Sequence, residues 1–108
     1  MSINENVFRA TLITKGRVSE QPHSVILRGV KYQNKIYFSR HRSDSDWFKN
    51  AIKNHEVIIK YQEFSFTGIA KKVKDEKLNQ KISQLKYPGE KRANEKRVAI
   101  EIILYEQS

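Results

Sequence analysis

Two short basic clusters carry most of the chemistry this sequence could perform. Lys15-Gly16-Arg17-Val18-Ser19 and Ser39-Arg40-His41-Arg42-Ser43 each combine cationic side chains with hydroxyls. A phosphate needs that set: charge-assisted donors from guanidinium groups, together with backbone N–H groups not already committed to a ladder. A plainer use for Arg40 and Arg42 is pairing with Asp44 and Asp46. Exposed pairs contribute on the order of 0–1 kcal/mol and do not account for so concentrated a cluster. Other chemistries find little support. There is no cysteine, hence no disulfide, thiolate nucleophile or thiolate metal site. His23, His41 and His55 lie in separate segments without the i, i+4 spacing of a helical metal site. Four scattered glycines make neither a phosphate-binding loop of the nucleotide-triphosphate type nor a dinucleotide fingerprint. No nucleophile-elbow motif accompanies the serines. The carboxylate pair Asp44 and Asp46 is explained by helix capping and dipole complementation. No catalytic side chain and no metal ligand is therefore expected.

The elements that would position the clusters can be read from the residue pattern. Residues 7–14 are rich in β-branched side chains and end at Lys15-Gly16, which predicts a strand. A loop over 15–22 leads to a second strand, 23–32, and Gln33-Asn34 turns tightly into a third, 35–39. Apolar residues on both faces of that hairpin suit a barrel wall. A helix follows, with Asp44 and Ser45 offering N-cap oxygens and Asn54 as its stop. Trp47, Phe48, Ala51 and Ile52 form its one apolar stripe, so Trp47, the only tryptophan, reads first as a core anchor. Strands over 56–61 and 64–73 are joined at Gln62-Glu63, and Gly68 signals a bulge or a close backbone approach. A second helix, 75–86, carries Leu78, Ile82 and Leu85 and ends at Tyr87-Pro88-Gly89. The charged loop 90–96 precedes a last strand, 97–105. The order β-β-β-α-β-β-α-β predicts a mainly β, antiparallel barrel with two inserted helices, as a single domain over 1–108.

Charge agrees with an anionic ligand. The formal net charge is +9, from 21 basic and 12 acidic residues, and a surplus of that size attracts polyanions or phosphorylated ligands. It leans toward the first 62 residues, with 11 basic against 5 acidic. Abundant surface lysine also serves solubility. The N-terminus lacks a basic segment followed by an apolar one, and the most apolar stretch, 98–105, is interrupted by Glu101 and too short to span a bilayer. A soluble, cytoplasmic protein is expected.

Three segments carry a resemblance. Residues 10–27 (ATLITKGRVSEQPHSVIL), the run Lys35-Ile36-Tyr37-Phe38-Ser39-Arg40 leading into SDWFKNAIKN, and Phe66-Thr67-Gly68-Ile69-Ala70 are similar in order and spacing to the pyridoxamine-phosphate-oxidase-like, FMN-binding split-barrel superfamily. The deazaflavin-dependent nitroreductase-like branch is the nearest within it. The match spans roughly residues 8–104. It implies a six-stranded antiparallel split β-barrel that forms a homodimer, with cofactor sites at the subunit interface. It also implies an FMN- or deazaflavin-dependent oxidoreductase acting on a small-molecule substrate. Carried over by position, Arg17 and Ser19 fall on the first cofactor-binding segment, with Lys15 as a helper. Ser39 and Arg40 fall on the second, with Arg42 as a helper, and Trp47 matches a helix tryptophan near the ring or tail. FMN is the cofactor expected, and a deazaflavin coenzyme the alternative, since Val18 stands where that branch commonly has a basic residue.

Two other functions fit the residues. A small basic barrel with aromatics on its strands, here Tyr32, Tyr37, Phe38, Tyr61, Phe64 and Phe66, can stack bases above a cationic groove. A barrel can also hold flavin or haem without turnover. The resemblance disfavours a nucleic-acid partner, and a barrel that holds flavin or haem without turnover stays as an alternative to the oxidoreductase.

Overall fold

The computed structural model describes residues 6–40, 45–94 and 97–105. Six antiparallel strands close into a barrel in the order β1-β2-β3-β6-β5-β4. They are β1 Val7–Lys15, β2 Pro22–Tyr32, β3 Lys35–Arg40, β4 Glu56–Tyr61, β5 Phe64–Lys72 and β6 Val98–Leu104. Helix α1, Asp46–Lys53, joins β3 to β4, and helix α2, Glu76–Lys86, follows β5. The architecture is the six-stranded antiparallel barrel with two inserted helices anticipated from the sequence.

Strand periodicity builds the barrel. In β4, Val57, Ile59 and Tyr61 are buried while Glu56, Ile58 and Lys60 point outward, the alternation a pleated strand imposes. β1 does the same with Phe8, Ala10, Leu12 and Thr14. The β2–β3 hairpin turns on Gln33 and Asn34, whose φ angles of 51° and 65° give the left-handed pair that a two-residue turn requires. Gly68 causes no bulge: its register with Val57 on one side and Leu104 on the other runs without an extra residue. It is a close-approach position, because a Cβ there would sit 2.8 Å from the Ile103 carbonyl oxygen.

Apolar residues fill two regions. Inside the barrel, Leu12, Phe38, Ile59 and Ile100 are fully buried, and Trp47, Phe48 and Ala51 of α1 plug the same core. On the outer surface, Val30, Tyr37 and Ala99 from β2, β3 and β6 pack beneath Val73 and Ile82 as α2 crosses that face. α1 thus closes the barrel and α2 covers one wall.

Element boundaries depart from the sequence reading in small ways. β2 begins at Pro22 and β3 ends at Arg40. Asp75 lies before α2 as its N-cap, its carboxylate accepting from the Lys77 and Leu78 amides at 2.9 and 3.4 Å. Ser45 is the N-cap residue of α1 but makes no side-chain cap bond, and Asp44 lies outside the described residues. The segment expected as a plain charged loop contains a 3-10 helix, Lys91–Asn94. Among the described residues no helix is long and apolar enough to cross a membrane.

Candidate anion-binding site

The first basic cluster is fastened to α1. Arg17 donates through its backbone N–H and Nη1 to Asn50 Oδ1 at 3.2 and 2.8 Å, and through Nη2 to Asp46 Oδ1 at 3.3 Å. Asn50 is buried and its amide also donates to Thr14 Oγ1 at 3.4 Å, so Arg17 binds a fixed acceptor. Asn54 Nδ2 reaches the Lys15 carbonyl at 3.2 Å. The glutamine-proline end of the loop is held by Ser19, whose Oγ accepts from the Gln21 amide at 3.3 Å and lies 3.2 Å from His23 Nε2. Lys15 is exposed at the end of β1. The 15–17 backbone therefore lies across the α1 residues Asn50 and Asn54, and two of Arg17's guanidinium nitrogens are engaged there.

The second cluster meets a different partner. Ser39 is buried at the end of β3, and Lys86, the last residue of α2, donates from Nζ to its carbonyl oxygen at 3.1 Å and to its Oγ at 3.5 Å. Arg40 is exposed next to it. Arg42 lies outside the described residues, as do His41 and Ser43. Trp47 is buried in the barrel core, edge-on to Phe48 at 5.8 Å between ring centroids, and fills its anchoring role there.

Around Lys86 the chain gathers cations that its linear order conceals. Lys86 Nζ and the guanidinium carbons of Arg28, Arg92 and Arg97 all lie 4.1–5.4 Å from the centroid of the Tyr87 ring. Each such contact is worth roughly 0.5–1 kcal/mol at an exposed site. Arg28 also donates to the Lys86 carbonyl at 3.4 Å, opposite the C-terminal end of the α2 dipole. Arg92 pairs with Glu90 at 2.9 Å. Arg28 and Arg40 have no carboxylate partner among the described residues. The Lys86 ammonium is pushed down to about 8, first by burial and then by Arg97, Arg28, Arg40 and Arg92. A local positive potential of this kind attracts negative charge.

The donor set fits a phosphate. Ser39 supplies a hydroxyl, Arg28 and Arg40 supply guanidinium groups, and Lys86 supplies an ammonium. At the start of α1, on the chain just beyond the second cluster, Ser45 Oγ is buried with no hydrogen-bond partner. A buried hydroxyl left unpaired in this way costs free energy until an acceptor or donor reaches it. Arg28, Ser45, Lys86, Tyr87, Arg92 and Arg97 were not singled out by sequence. Only Arg28 carried a readable signal: it sits at an outward position of β2. Among the described residues no group of three or more His, Cys, Asp or Glu could hold a metal ion.

No family model matches the chain, and no curated protein matches it. Solved structures do. A conserved hypothetical protein from Mycobacterium tuberculosis superposes with a TM-score of 0.73 at 19% identity, over 91% of this chain and 73% of that one. A candidate pyridoxamine 5'-phosphate oxidase from Listeria innocua gives 0.68 at 16% identity, over 91% and 84%. An F420 reductase gives 0.64 at 15% identity, over 91% and 86%. At these identities the likeness establishes architecture, and the chain has the split-barrel fold of the pyridoxamine-phosphate-oxidase-like proteins that its sequence resembles.

Proposed function

We propose that this chain binds a flavin-type cofactor, FMN first and a deazaflavin coenzyme as the alternative, and works as an oxidoreductase on a small-molecule substrate. The observation that carries the reading is the concentration of positive charge around Ser39. Lys86 bonds to Ser39, Arg28 bonds to the Lys86 carbonyl, and Arg40 follows Ser39 in β3. The names borne by the Listeria protein and the F420 reductase support the same cofactor class.

In this reading Arg40 and Ser39 hold the cofactor phosphate, and Arg28 and Lys86 supply the surrounding field. Arg17 acts through position: its bonds to Asn50 and Asp46 hold in place the 15–19 segment that carries Lys15 and Ser19. Trp47 packs beneath. When bound, the ring system supplies hydride or electron transfer, and the protein supplies orientation and exclusion of water. That division of labour needs no acid or base among the side chains.

The site is completed by a second copy of the chain. Ile26, Ile58, Ile69 and Ile103 all point outward and are exposed; Ile69 lies opposite Ile103, Ile58 opposite Ile13, and Ile26 opposite Thr11. Exposed isoleucines on paired strands are what an interaction surface uses.

Titration of the purified protein with FMN and with a deazaflavin coenzyme, followed by ligand fluorescence, tests the reading. Saturable binding that weakens in Arg40→Gln is expected. No binding of either compound overturns it.

A further inference from the structure

Lys86 stands out from the other described lysines in what surrounds it. It is 7% exposed, and its amine lies 5.2 Å from the centroid of the Tyr87 ring, around which the guanidinium groups of Arg28, Arg92 and Arg97 also gather at 4.1–5.4 Å, with Arg40 adding to the positive field. A buried cation among cations is the least favourable charge state for that position. A neutral amine removes the repulsion, and an anion in its place turns repulsion into attraction.

We propose that the Lys86 amine is a site of reversible carbamylation by carbon dioxide. The neutral Nζ attacks the carbon of carbon dioxide and an N–C bond forms. One C–O π pair moves onto oxygen, and one amine proton leaves to solvent. The balance is Lys86–NH2 + CO2 giving Lys86–NH–COO− and H+. Nothing is oxidised or reduced.

The surroundings match the product better than the starting ammonium. The carbamate nitrogen keeps one hydrogen, which preserves donation to the Ser39 carbonyl, now 3.1 Å from Nζ. The Ser39 hydroxyl, 3.5 Å from Nζ, can turn its proton toward a carbamate oxygen. The new carboxylate meets guanidinium groups, whose planar forks suit two oxygens. Arg28 is already anchored over Tyr87 and against the Lys86 carbonyl. Reactivity follows the same geometry. An ordinary lysine amine titrates near 10.4 and is almost wholly protonated at neutral pH. The Lys86 amine is lowered to about 8, so a substantial fraction is nucleophilic under mild conditions. The carbamate would occupy the donors that the proposed function gives to a cofactor phosphate, so it is a state of the chain without that ligand, and its readout requires no flavin.

The test uses the full chain with 15N at the lysine side-chain nitrogens, in 13C-labelled bicarbonate buffer near pH 8. A carbamate carbonyl resonance split by coupling to 15N is expected. It should vanish in carbon-dioxide-free buffer and in Lys86→Arg, and fall several-fold in Arg28→Gln, which keeps the amine. Trapping of wild-type protein by an ethylating reagent, followed by peptide mass mapping, should place the ethyl carbamate on Lys86. The proposal is overturned by the absence of a coupled resonance, by a resonance undiminished in Lys86→Arg, or by trapped carbamate mapping to other lysines. A shift of the arginine signals by bicarbonate without coupling means a non-covalent anion, and also overturns it.

Discussion

Lys86 Nζ donates to the main-chain carbonyl of Ser39 at 3.1 Å, joining the last residue of α2 to the end of β3 across 47 positions of sequence. This bond holds a cation where burial and four arginines oppose one. The consequence for stability has a definite sign. Unfolded, the lysine titrates near 10.4, whereas folded it titrates at about 8. Between those values the unfolded chain binds a proton that the folded chain does not, so stability rises with pH. The gain from this one group is on the order of 1–3 kcal/mol. Urea unfolding in carbon-dioxide-free buffer at pH 7, 8.5 and 10 should show this rise in wild-type protein relative to Lys86→Met. Equal pH slopes in the two proteins contradict the assignment. The comparison rests on slope, because Lys86→Met also loses the donor to Ser39.

Arg40 and Arg17 should separate in their effects. Arg40 is exposed beside Ser39 and carries no carboxylate partner among the described residues. A charge-assisted bond from it to a ligand phosphate is worth about 1.5–3 kcal/mol, so Arg40→Gln should weaken FMN binding roughly 10- to 100-fold. Its melting temperature should stay close to wild type. Fluorescence titration and thermal unfolding on the same samples check both.

Arg17→Ala should show the reverse weighting. It breaks the 2.8 Å bond to the buried Asn50 and leaves that amide oxygen short of a donor. A loss of about 1–3 kcal/mol follows, which for a domain of this size lowers the melting temperature by roughly 4–8 °C per kcal/mol. Asp46→Asn removes only an exposed partner, 3.3 Å from Arg17, and should cost under about 1 kcal/mol. If Asp46→Asn destabilises as much as Arg17→Ala, the clasp works through charge and Asn50 is not its anchor.

Gly68 admits a sharp test of the barrel register. A Cβ at this position meets Ile102 Cγ2 at 2.7 Å and the Ile103 carbonyl oxygen at 2.8 Å. The side chain can shift, but the carbonyl belongs to the neighbouring strand. Gly68→Ala should therefore destabilise by about 1–3 kcal/mol through overpacking. Gly89 has open space around it, and its φ of 74° sets a different cost. An unchanged melting temperature for Gly68→Ala would mean that β5 and β6 stand farther apart than the register requires.

The fold was legible because strand and helix periods are local. The alternation in β4 and the stripe of Trp47, Phe48 and Ala51 follow from short spacings alone. The β2–β3 turn was legible too, because the left-handed geometry of Gln33 and Asn34 is set by two adjacent residues. The site was legible only in part. Ser39 and Arg40 share one strand end, but Arg28, Lys86, Arg92 and Arg97 come together through barrel closure and the path of α2. Charge counted along the chain placed the excess in the first half, while the cluster draws on both. Which cations are engaged is set by tertiary contacts: Arg17 is held by Asn50, 33 positions away in the chain.

The outward isoleucines bear on assembly. Ile26 is 64% exposed and Ile103 is 52% exposed, on strands where the alternation would ordinarily place polar residues. Leaving such side chains in water forgoes roughly 25 cal/mol for each square ångström of apolar surface that a partner would cover. A monomer gains nothing from them. Ile26→Lys introduces a charge at this surface with little effect on the core, because the side chain already faces solvent. The expected result is a dimer in the wild-type protein and a monomer in the variant, read by light scattering coupled to size-exclusion chromatography, with melting of the monomer remaining cooperative. A variant that stays dimeric moves the interface to another face, and a wild-type monomer removes the second copy from the proposed cofactor site.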